Sequence, residues 1–133
     1  MWKIKNPSYG DHIRVNRGIY YHHGIYASDD CVYQFASPEG EEISQETAVV
    51  GITTLEKFLK GGIVEVREYS ESELEEKRKP EEVIEYAKEH LGEMGYNLIT
   101  NNCEHFANRC VFGKSMSTQV DDIFEKIMGV FNK

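Results

Sequence analysis

The chain has 133 residues, which is enough for one hydrophobic core and too few for two ordinary domains, so we expect a single domain over residues 1–133. Hydrophobic residues make up 40% of the chain and charged residues 29%, a balance that excludes a disordered or fibrous protein. A net charge of −8 repels phosphate backbones and argues against nucleic acid as a partner.

The three cysteines, Cys31, Cys103 and Cys110, form an odd set without a CxxC pair. This pattern argues against a disulfide framework and a zinc site, so we expect reduced thiols, no metal and no cofactor. No apolar run approaches the roughly 18 residues that a membrane span needs, and the first residues lack the apolar stretch of a secretory signal. These observations predict a cytoplasmic protein.

The predicted elements follow from alternation, apolar faces and capping residues. In chain order they are strands at 11–16, 19–27 and 31–36, an ambiguous segment at 43–50, a helix at 54–59 ended by Gly61 and Gly62, a strand at 63–69, a helix at 80–91 stopped by Gly92, and a helix at 101–112 with Gly113 as C-cap. The charge run from Ser70 to Lys79 is expected to be a solvated loop or a frayed helical turn.

Residues 114–133 are expected to form an amphipathic helical extension. Its apolar side chains fall at helical spacing, namely Val120, Ile123, Phe124, Ile127, Met128 and Phe131. Packing on the domain core explains this stripe, and so does an interfacial helix making peripheral contact with a membrane. The sequence leaves both alternatives open.

The segment from Asn101 to Phe106 carries the candidate nucleophile. Asn101 is a favoured N-cap, and Glu104 three residues later has the spacing of a capping box, which places Cys103 in the first turn of the helix. The unpaired backbone N–H groups of that turn favour a thiolate, so we expect a pKa lowered toward neutrality. The same groups could hold a developing oxyanion.

His22 is the candidate base for this thiol. His22 and His23 are neighbours on a strand, so their side chains point to opposite faces and only one can serve a given site. Gly24 shares a face with His22 and leaves open space for a substrate or an approaching helix end. Tyr26 lies on the same face, where it could line a substrate pocket or simply pack its ring.

Gln34 can orient His22 only if the hairpin register puts both residues on one face. With a three-residue loop at Ser28 to Asp30, Gln34 becomes a diagonal neighbour of His22, within reach of its long side chain. With a two-residue loop the faces would swap and the proposal would fail. A glutamine can accept the ring N–H and fix the tautomer.

The segments 22–26 (HHGIY) and 102–106 (NCEHF) together resemble the signature blocks of the lecithin:retinol acyltransferase-like family, including its phospholipase A/acyltransferase group. Residues 80–91 and 95–98 are similar to the family's run-up to its cysteine. The resemblance covers roughly residues 9–113. It implies an α+β, permuted papain-like fold of the NlpC type, in which an antiparallel sheet packs against a helix bearing the catalytic cysteine at its N-terminus.

The same resemblance assigns the nucleophile to Cys103 and the base to His22. Twelve residues after that histidine the animal enzymes usually carry a second histidine, where this chain has Gln34. Family members commonly end in a membrane-anchoring apolar tail, which this chain lacks.

The predicted activity is a thiol-dependent acyltransferase or phospholipase A acting on phospholipid or other acyl esters through an acyl-thioester at Cys103. One alternative keeps these residues but cuts an amide, as NlpC-type cysteine peptidases do. Another is a catalytically silent lipid-binding module. The acyl acceptor and the oligomeric state are not specified by the sequence.

Overall fold

A computed structural model of the chain describes residues 1–38 and 46–113. The amphipathic extension predicted at 114–133 and the first part of the ambiguous segment 43–50 lie outside these residues. No helix of the described part is long and apolar enough to cross a membrane.

Six strands form one antiparallel sheet in the order β1-β6-β2-β3-β4-β5. The strands are β1 (Trp2–Ile4), β2 (Asp11–Asn16), β3 (Tyr21–Ser28), β4 (Cys31–Ala36), β5 (Val49–Thr53) and β6 (Glu65–Arg67). The helices are α1 (Leu55–Leu59), α2 (Glu71–Glu76), α3 (Pro80–Glu89) and α4 (Cys103–Phe112). The architecture is therefore α+β, as predicted.

Strand β3 begins two residues later than the predicted start at Ile19. Arg17 to Tyr20 instead form the tight turn between β2 and β3, where the Arg17 N–H donates to the Tyr20 carbonyl at 2.8 Å. Gly18 has a φ of +97°, a left-handed conformation that favours glycine. Ile19 is consequently exposed at the tip of this hairpin.

The charge run that was expected to be a loop or frayed turn forms the short helix α2. Ser70 caps it by accepting the Glu73 N–H, and the Glu73 carboxylate accepts the Ser70 N–H in return. This reciprocal capping box satisfies donors at the helix start, which gives a highly charged segment a defined helical turn. The strand predicted at 63–69 shrinks to the three residues of β6.

The β3–β4 hairpin combines a two-residue loop with a bulge. Ser28 pairs with Cys31 across Asp29 and Asp30, but the register shifts between Ser28 and Tyr26, which pairs with Val32. The extra residue restores the register that a three-residue loop would give, because Gly24 now lies opposite Gln34. The expectation that a two-residue loop would swap the faces was therefore wrong.

The two faces of the sheet are covered by different helices. Helices α3 and α4 pack on one face around Ile25 and Phe35, and their core includes Cys103 and Phe106. Helix α1 packs on the other face, where Phe58 joins residues of β2, β4 and β6. The residues of β3 thus alternate between the α4 face and the α1 face.

Candidate active site

The start of helix α4 is capped by Asn102, so the predicted cap at Asn101 was wrong by one residue. The Asn102 side-chain oxygen accepts the N–H groups of Glu104 and His105, each at 3.0 Å. The third helical residue is His105, whose Nδ1 accepts the Asn102 N–H at 3.0 Å and completes the capping box. Cys103 is therefore the first residue of the helix, and Gly113 ends it with a φ of +75°, as predicted.

The thiol of Cys103 is buried against the backbone of strand β3. Its sulfur lies 3.9 Å from the carbonyl oxygen of Tyr21, the residue that precedes His22. Burial raises the pKa of the thiol to about 11, and the N–H groups of His23, Glu104 and Cys103 only partly oppose this shift. The expected lowering of the pKa was wrong because desolvation outweighs the favourable field of the helix start.

His22 is held by Gln34 from the neighbouring strand. The His22 Nε2 lies 2.9 Å from the Gln34 Oε1, and the His22 ring stacks on Phe58 at a centroid distance of 4.8 Å. Because a carboxamide oxygen only accepts, Nε2 carries the proton and Nδ1 carries the lone pair. Within the part of the chain that the structure describes, this buried Nδ1 has no hydrogen-bond partner.

Burial lowers the pKa of His22 to about 4, and the charges of Arg17 and Lys60 act in the same direction. The hydrogen bond to Gln34 opposes this shift without overcoming it. At neutral pH the site therefore holds a neutral imidazole and a neutral thiol. A neutral imidazole with a lone pair on Nδ1 can accept a proton.

The thiol and the imidazole lie at the same end of strand β3, but no hydrogen bond joins them in the part of the chain that the structure describes. Cys103 packs with the core on the α4 face, whereas the His22 ring stacks on Phe58 on the α1 face. Pairing of β4 with β3 runs from Ser28 to Gly24 and stops short of residues 21–23, whereas β2 pairs with all three of these residues. The backbone edge on the β4 side is thus left for the first residue of α4. Cys103 contacts that edge at Tyr21, one residue from His22.

Gly24 and Tyr26 do not have the surroundings expected of substrate-binding residues. A Cβ on Gly24 would lie 2.8 Å from Phe58 Cε2 and 2.9 Å from the Tyr33 carbonyl oxygen. Of the two expected occupants of the space beside this glycine, a helix and not a substrate is therefore present. Tyr26 donates its hydroxyl to Asp29 at 2.7 Å. Tyr26 lies four positions along the strand from His22, a distance of about 13 Å at about 3.3 Å per residue.

A buried polar chain on the other face of β3 was missed by the sequence analysis. His23 Nδ1 lies 2.8 Å from His12 Nε2, and His23 Nε2 lies 4.0 Å from a carboxylate oxygen of Glu104. All three residues are at most 2% exposed. Strict alternation places His12 and His23 on one face only once the β2–β3 register is known, so the sequence alone gave no signal for this pair.

Tyr96 is a further residue of the site that the sequence analysis did not single out. It is buried near Cys103, whose backbone N–H lowers the pKa of the Tyr96 hydroxyl. Burial raises the pKa of Tyr96, and the neighbouring Cys103 and Tyr20 add to the shift. The N–H groups of Glu104 and His105 are occupied by Asn102, so the Cys103 N–H is the donor of the first turn that faces the site.

These features define an α+β domain in which a buried thiol at a helix start meets a strand that carries an orientated imidazole. A family model described as lecithin retinol acyltransferase matches residues 5–116. The chain belongs to this family.

The chain is similar to lecithin retinol acyltransferase of Rattus norvegicus, with 28% identity over 95% of this chain and 63% of the relative. It is 30% identical to phospholipase A and acyltransferase 3 of Homo sapiens, over 90% of this chain and 80% of the relative. It is 33% identical to phospholipase A and acyltransferase 5 of Homo sapiens, over 86% of this chain and 44% of the relative. The chain thus spans less than two thirds of some of these relatives.

Proposed function

We propose that this chain is a thiol-dependent acyltransferase or phospholipase A, with Cys103 as nucleophile, His22 as base and Gln34 as the residue that orients the base. The observation that carries the proposal is the His22 Nε2 to Gln34 Oε1 hydrogen bond of 2.9 Å. This hydrogen bond keeps the ring proton on Nε2 and leaves the basic lone pair on Nδ1. His22 follows Tyr21, whose carbonyl the Cys103 sulfur contacts. The names of the relatives, which include acyltransferase and phospholipase A, support the same class of reaction.

The proposed substrate is an acyl ester, with phospholipid as the first choice. In the first step the sulfur of Cys103 attacks the ester carbonyl while its proton passes to His22 Nδ1. Collapse of the intermediate breaks the ester C–O bond, and the leaving alkoxide takes that proton and departs as a lyso product. In the second step His22 accepts a proton from water or from an acceptor alcohol or amine, whose oxygen or nitrogen attacks the thioester carbonyl. The C–S bond then breaks, and the leaving sulfur takes the proton from His22, which regenerates the thiol.

We infer that the fold is the permuted papain-like one of the NlpC type. Three features support this: the histidine strand precedes the cysteine helix in the chain, the cysteine is the first helical residue, and the sheet is antiparallel. The Cys103 N–H beside Tyr96 is the donor we assign to the developing oxyanion.

The test is intact-protein mass spectrometry after incubation with phosphatidylcholine vesicles and, separately, with a soluble short-chain acyl ester. We expect an added acyl mass at Cys103 that is absent in Cys103→Ala. Cys31→Ala is the matched control, because it removes a thiol on strand β4 and should leave the adduct intact. Turnover by Cys103→Ala equal to that of the unmodified chain would refute the mechanism.

His22→Gln should slow acylation by about 10²–10⁴-fold, the usual contribution of a general base. Acylation should also be independent of pH between about 6 and 9, since both groups stay neutral across that range. A thiolate–imidazolium pair would instead lose activity when the imidazolium deprotonates within this range. Cell-wall peptides in place of lipid test the amide-cutting alternative, which predicts cleavage of the peptide and no acyl adduct from phosphatidylcholine.

A second candidate is a catalytically silent lipid-binding module. The raised pKa of Cys103, to about 11, favours it because little thiolate exists at neutral pH. Lipid binding with no acyl adduct at Cys103 from either ester would select this function over the first.

A further inference from the structure

Three described segments around the candidate site contain no acidic residue of their own, although the buried Glu104 lies 4.0 Å from His23. They comprise residues 15–23, 60–64 and 94–103, which we call the acid-free end. These segments contain none of the 23 aspartates and glutamates of a chain whose net charge is −8. They do contain Arg17 and Lys60, so the local charge is opposite in sign to that of the whole protein.

Hydrogen bonds join the segments of the acid-free end around Cys103. The Cys103 sulfur meets the Tyr21 carbonyl at 3.9 Å, and the Asn102 side-chain amide donates to the Leu98 carbonyl at 2.9 Å. The Arg17 guanidinium donates to the carbonyls of Phe58 and Leu59, at 2.5 and 3.3 Å. This ties the β2–β3 turn to the end of helix α1, directly before residues 60–64.

Large aliphatic side chains stand exposed on each of these three segments. Ile19 is 99% exposed at the tip of the β2–β3 turn, and Ile63, Leu98 and Ile99 are each 64% exposed. Isolated exposed apolar residues need no explanation, but four of them around one candidate site form a rim. These four residues lie on the segments that carry or adjoin Cys103 and His22.

The turns that carry the rim are held by hydrogen bonds. Asn97 and Asn101 exchange two backbone hydrogen bonds of 2.9 Å, and the Asn97 side chain accepts the N–H groups of Ile99 and Thr100. In the other turn, the Asn16 side chain accepts the Gly18 N–H at 2.6 Å. Because the backbone of both turns is already ordered in the free protein, moving their side chains from water into a binding partner loses little conformational entropy.

We propose that the acid-free end is the surface by which this protein docks on a phospholipid bilayer, with Ile19, Leu98 and Ile99 entering the interface. The cationic side chains Arg17 and Lys60 complement lipid phosphates. A second copy of the chain fits less well, because pairing two acid-free ends would bring like charges together. The inference deepens the proposed function, since it presents Cys103 to the layer that holds the substrate.

The test measures co-sedimentation with vesicles of phosphatidylcholine, alone or mixed with phosphatidylserine, in a Cys103→Ala background so that binding is independent of chemistry. Ile19→Asp and the double variant Leu98→Asp with Ile99→Asp should each weaken binding by about tenfold or more. The matched control is Ile52→Asp with Leu74→Asp. These residues are 53% and 58% exposed on β5 and α2, and their replacement should change binding less than about twofold.

A second measurement uses the fluorescence of an introduced tryptophan. The emission of Ile19→Trp should shift to shorter wavelength when vesicles are added, whereas the emission of Ile52→Trp should not. Ile19→Asp decides the question by itself if the double variant does not fold. Equal binding by the acid-free-end variants and the control, or an absence of binding by the parent, overturns the proposal. So does a parent that sediments as a dimer and becomes monomeric in Ile19→Asp.

Failure of this proposal and failure of the proposed function are separable. If the soluble ester acylates Cys103 but Ile19→Asp does not change vesicle binding, the proposed function is supported and the docking surface is refuted. If Ile19→Asp weakens vesicle binding but the unmodified chain forms no acyl adduct, the docking surface is supported and the acyl-transfer mechanism is refuted.

Discussion

Acidification from pH 7 to pH 5 should destabilise the fold through its buried neutral histidines. Burial lowers the pKa of His22 from 6.5 to about 4. A folded-state pKa below the unfolded value means that protonation favours the unfolded chain. The stabilisation is complete above about pH 6.5 and is lost progressively as the pH falls toward about 4.

The size of the loss follows from the pKa shift. Between pH 6.5 and pH 5 each such histidine removes about 1.4 kcal/mol per pH unit, or about 2 kcal/mol for His22 alone. His12 and His23 are also buried, and burial lowers the pKa of each well below 6.5, so they add losses of the same sign. For urea unfolding with a slope of about 2 kcal/mol per molar, His22 alone moves the midpoint by about 1 M.

The assay is urea unfolding at pH 7, 6 and 5, with His22→Gln as the matched variant. Stopping at pH 5 avoids Glu73, whose carboxyl pKa is lowered below 4.5 by the Ser70 N–H and titrates in more acidic solution. The variant starts from a different stability, but its decline with pH should be shallower by about 1.4 kcal/mol per unit. An unfolding free energy that stays constant for the parent chain, or equal slopes for parent and variant, would refute the reasoning.

Three further predictions concern single contacts, each measured by urea unfolding. Gly24→Ala should cost about 1–3 kcal/mol because its Cβ would meet Phe58 at 2.8 Å, whereas Gly51→Ala, with nothing within 4 Å, should cost far less. Asn102→Ala should cost about 1 kcal/mol by removing the cap of α4, more than Asn101→Ala; the reverse order would support the predicted cap. Gln34→Leu should cost about 1–3 kcal/mol by leaving the His22 N–H unpaired, and should also slow acylation, whereas Gln34→His should retain most of both.

Elements that depend on local sequence were predicted well. Strands β2 and β4 have the predicted bounds, since alternation marks both ends of each. Pro80 begins helix α3, and Gly113 ends helix α4 with a left-handed backbone, as turn and cap chemistry predicts. These features need no information about distant parts of the chain.

Elements that depend on distant pairing were not predicted. Strand β1 has only three residues, and its partner β6 lies about sixty residues away, so no local pattern marks it. The turn of the β3–β4 hairpin was missed for a related reason, although the register beside His22 is the one predicted for a three-residue loop. A bulge at Ala27 compensates for the short loop, and alternation within one strand does not show where the neighbouring strand inserts a residue.

In the candidate site, too, the features set by local sequence were predictable and those set by packing were not. The helix start at Cys103 and the orienting role of Gln34 could be inferred from caps and register, but the pKa of Cys103 could not. Its value depends on how deeply α4 is buried against the edge of β3, which is a property of the packed molecule. The same packing places Phe58 over Gly24, so that a helix and not a substrate occupies the space beside this glycine.

In the proposed mechanism, the neutral state of the pair accounts for a glutamine in place of a carboxylate beside His22. A carboxylate is needed where an imidazolium persists, but with pKa values of about 11 for Cys103 and about 4 for His22 the ion pair does not persist. Complete proton transfer before attack would cost on the order of 10 kcal/mol, below the barrier of about 16 kcal/mol for a turnover of about 10 per second. Transfer can therefore accompany attack, as charge passes from the sulfur to the carbonyl oxygen. The task left to Gln34 is to keep the proton on Nε2, and an amide oxygen at 2.9 Å performs it.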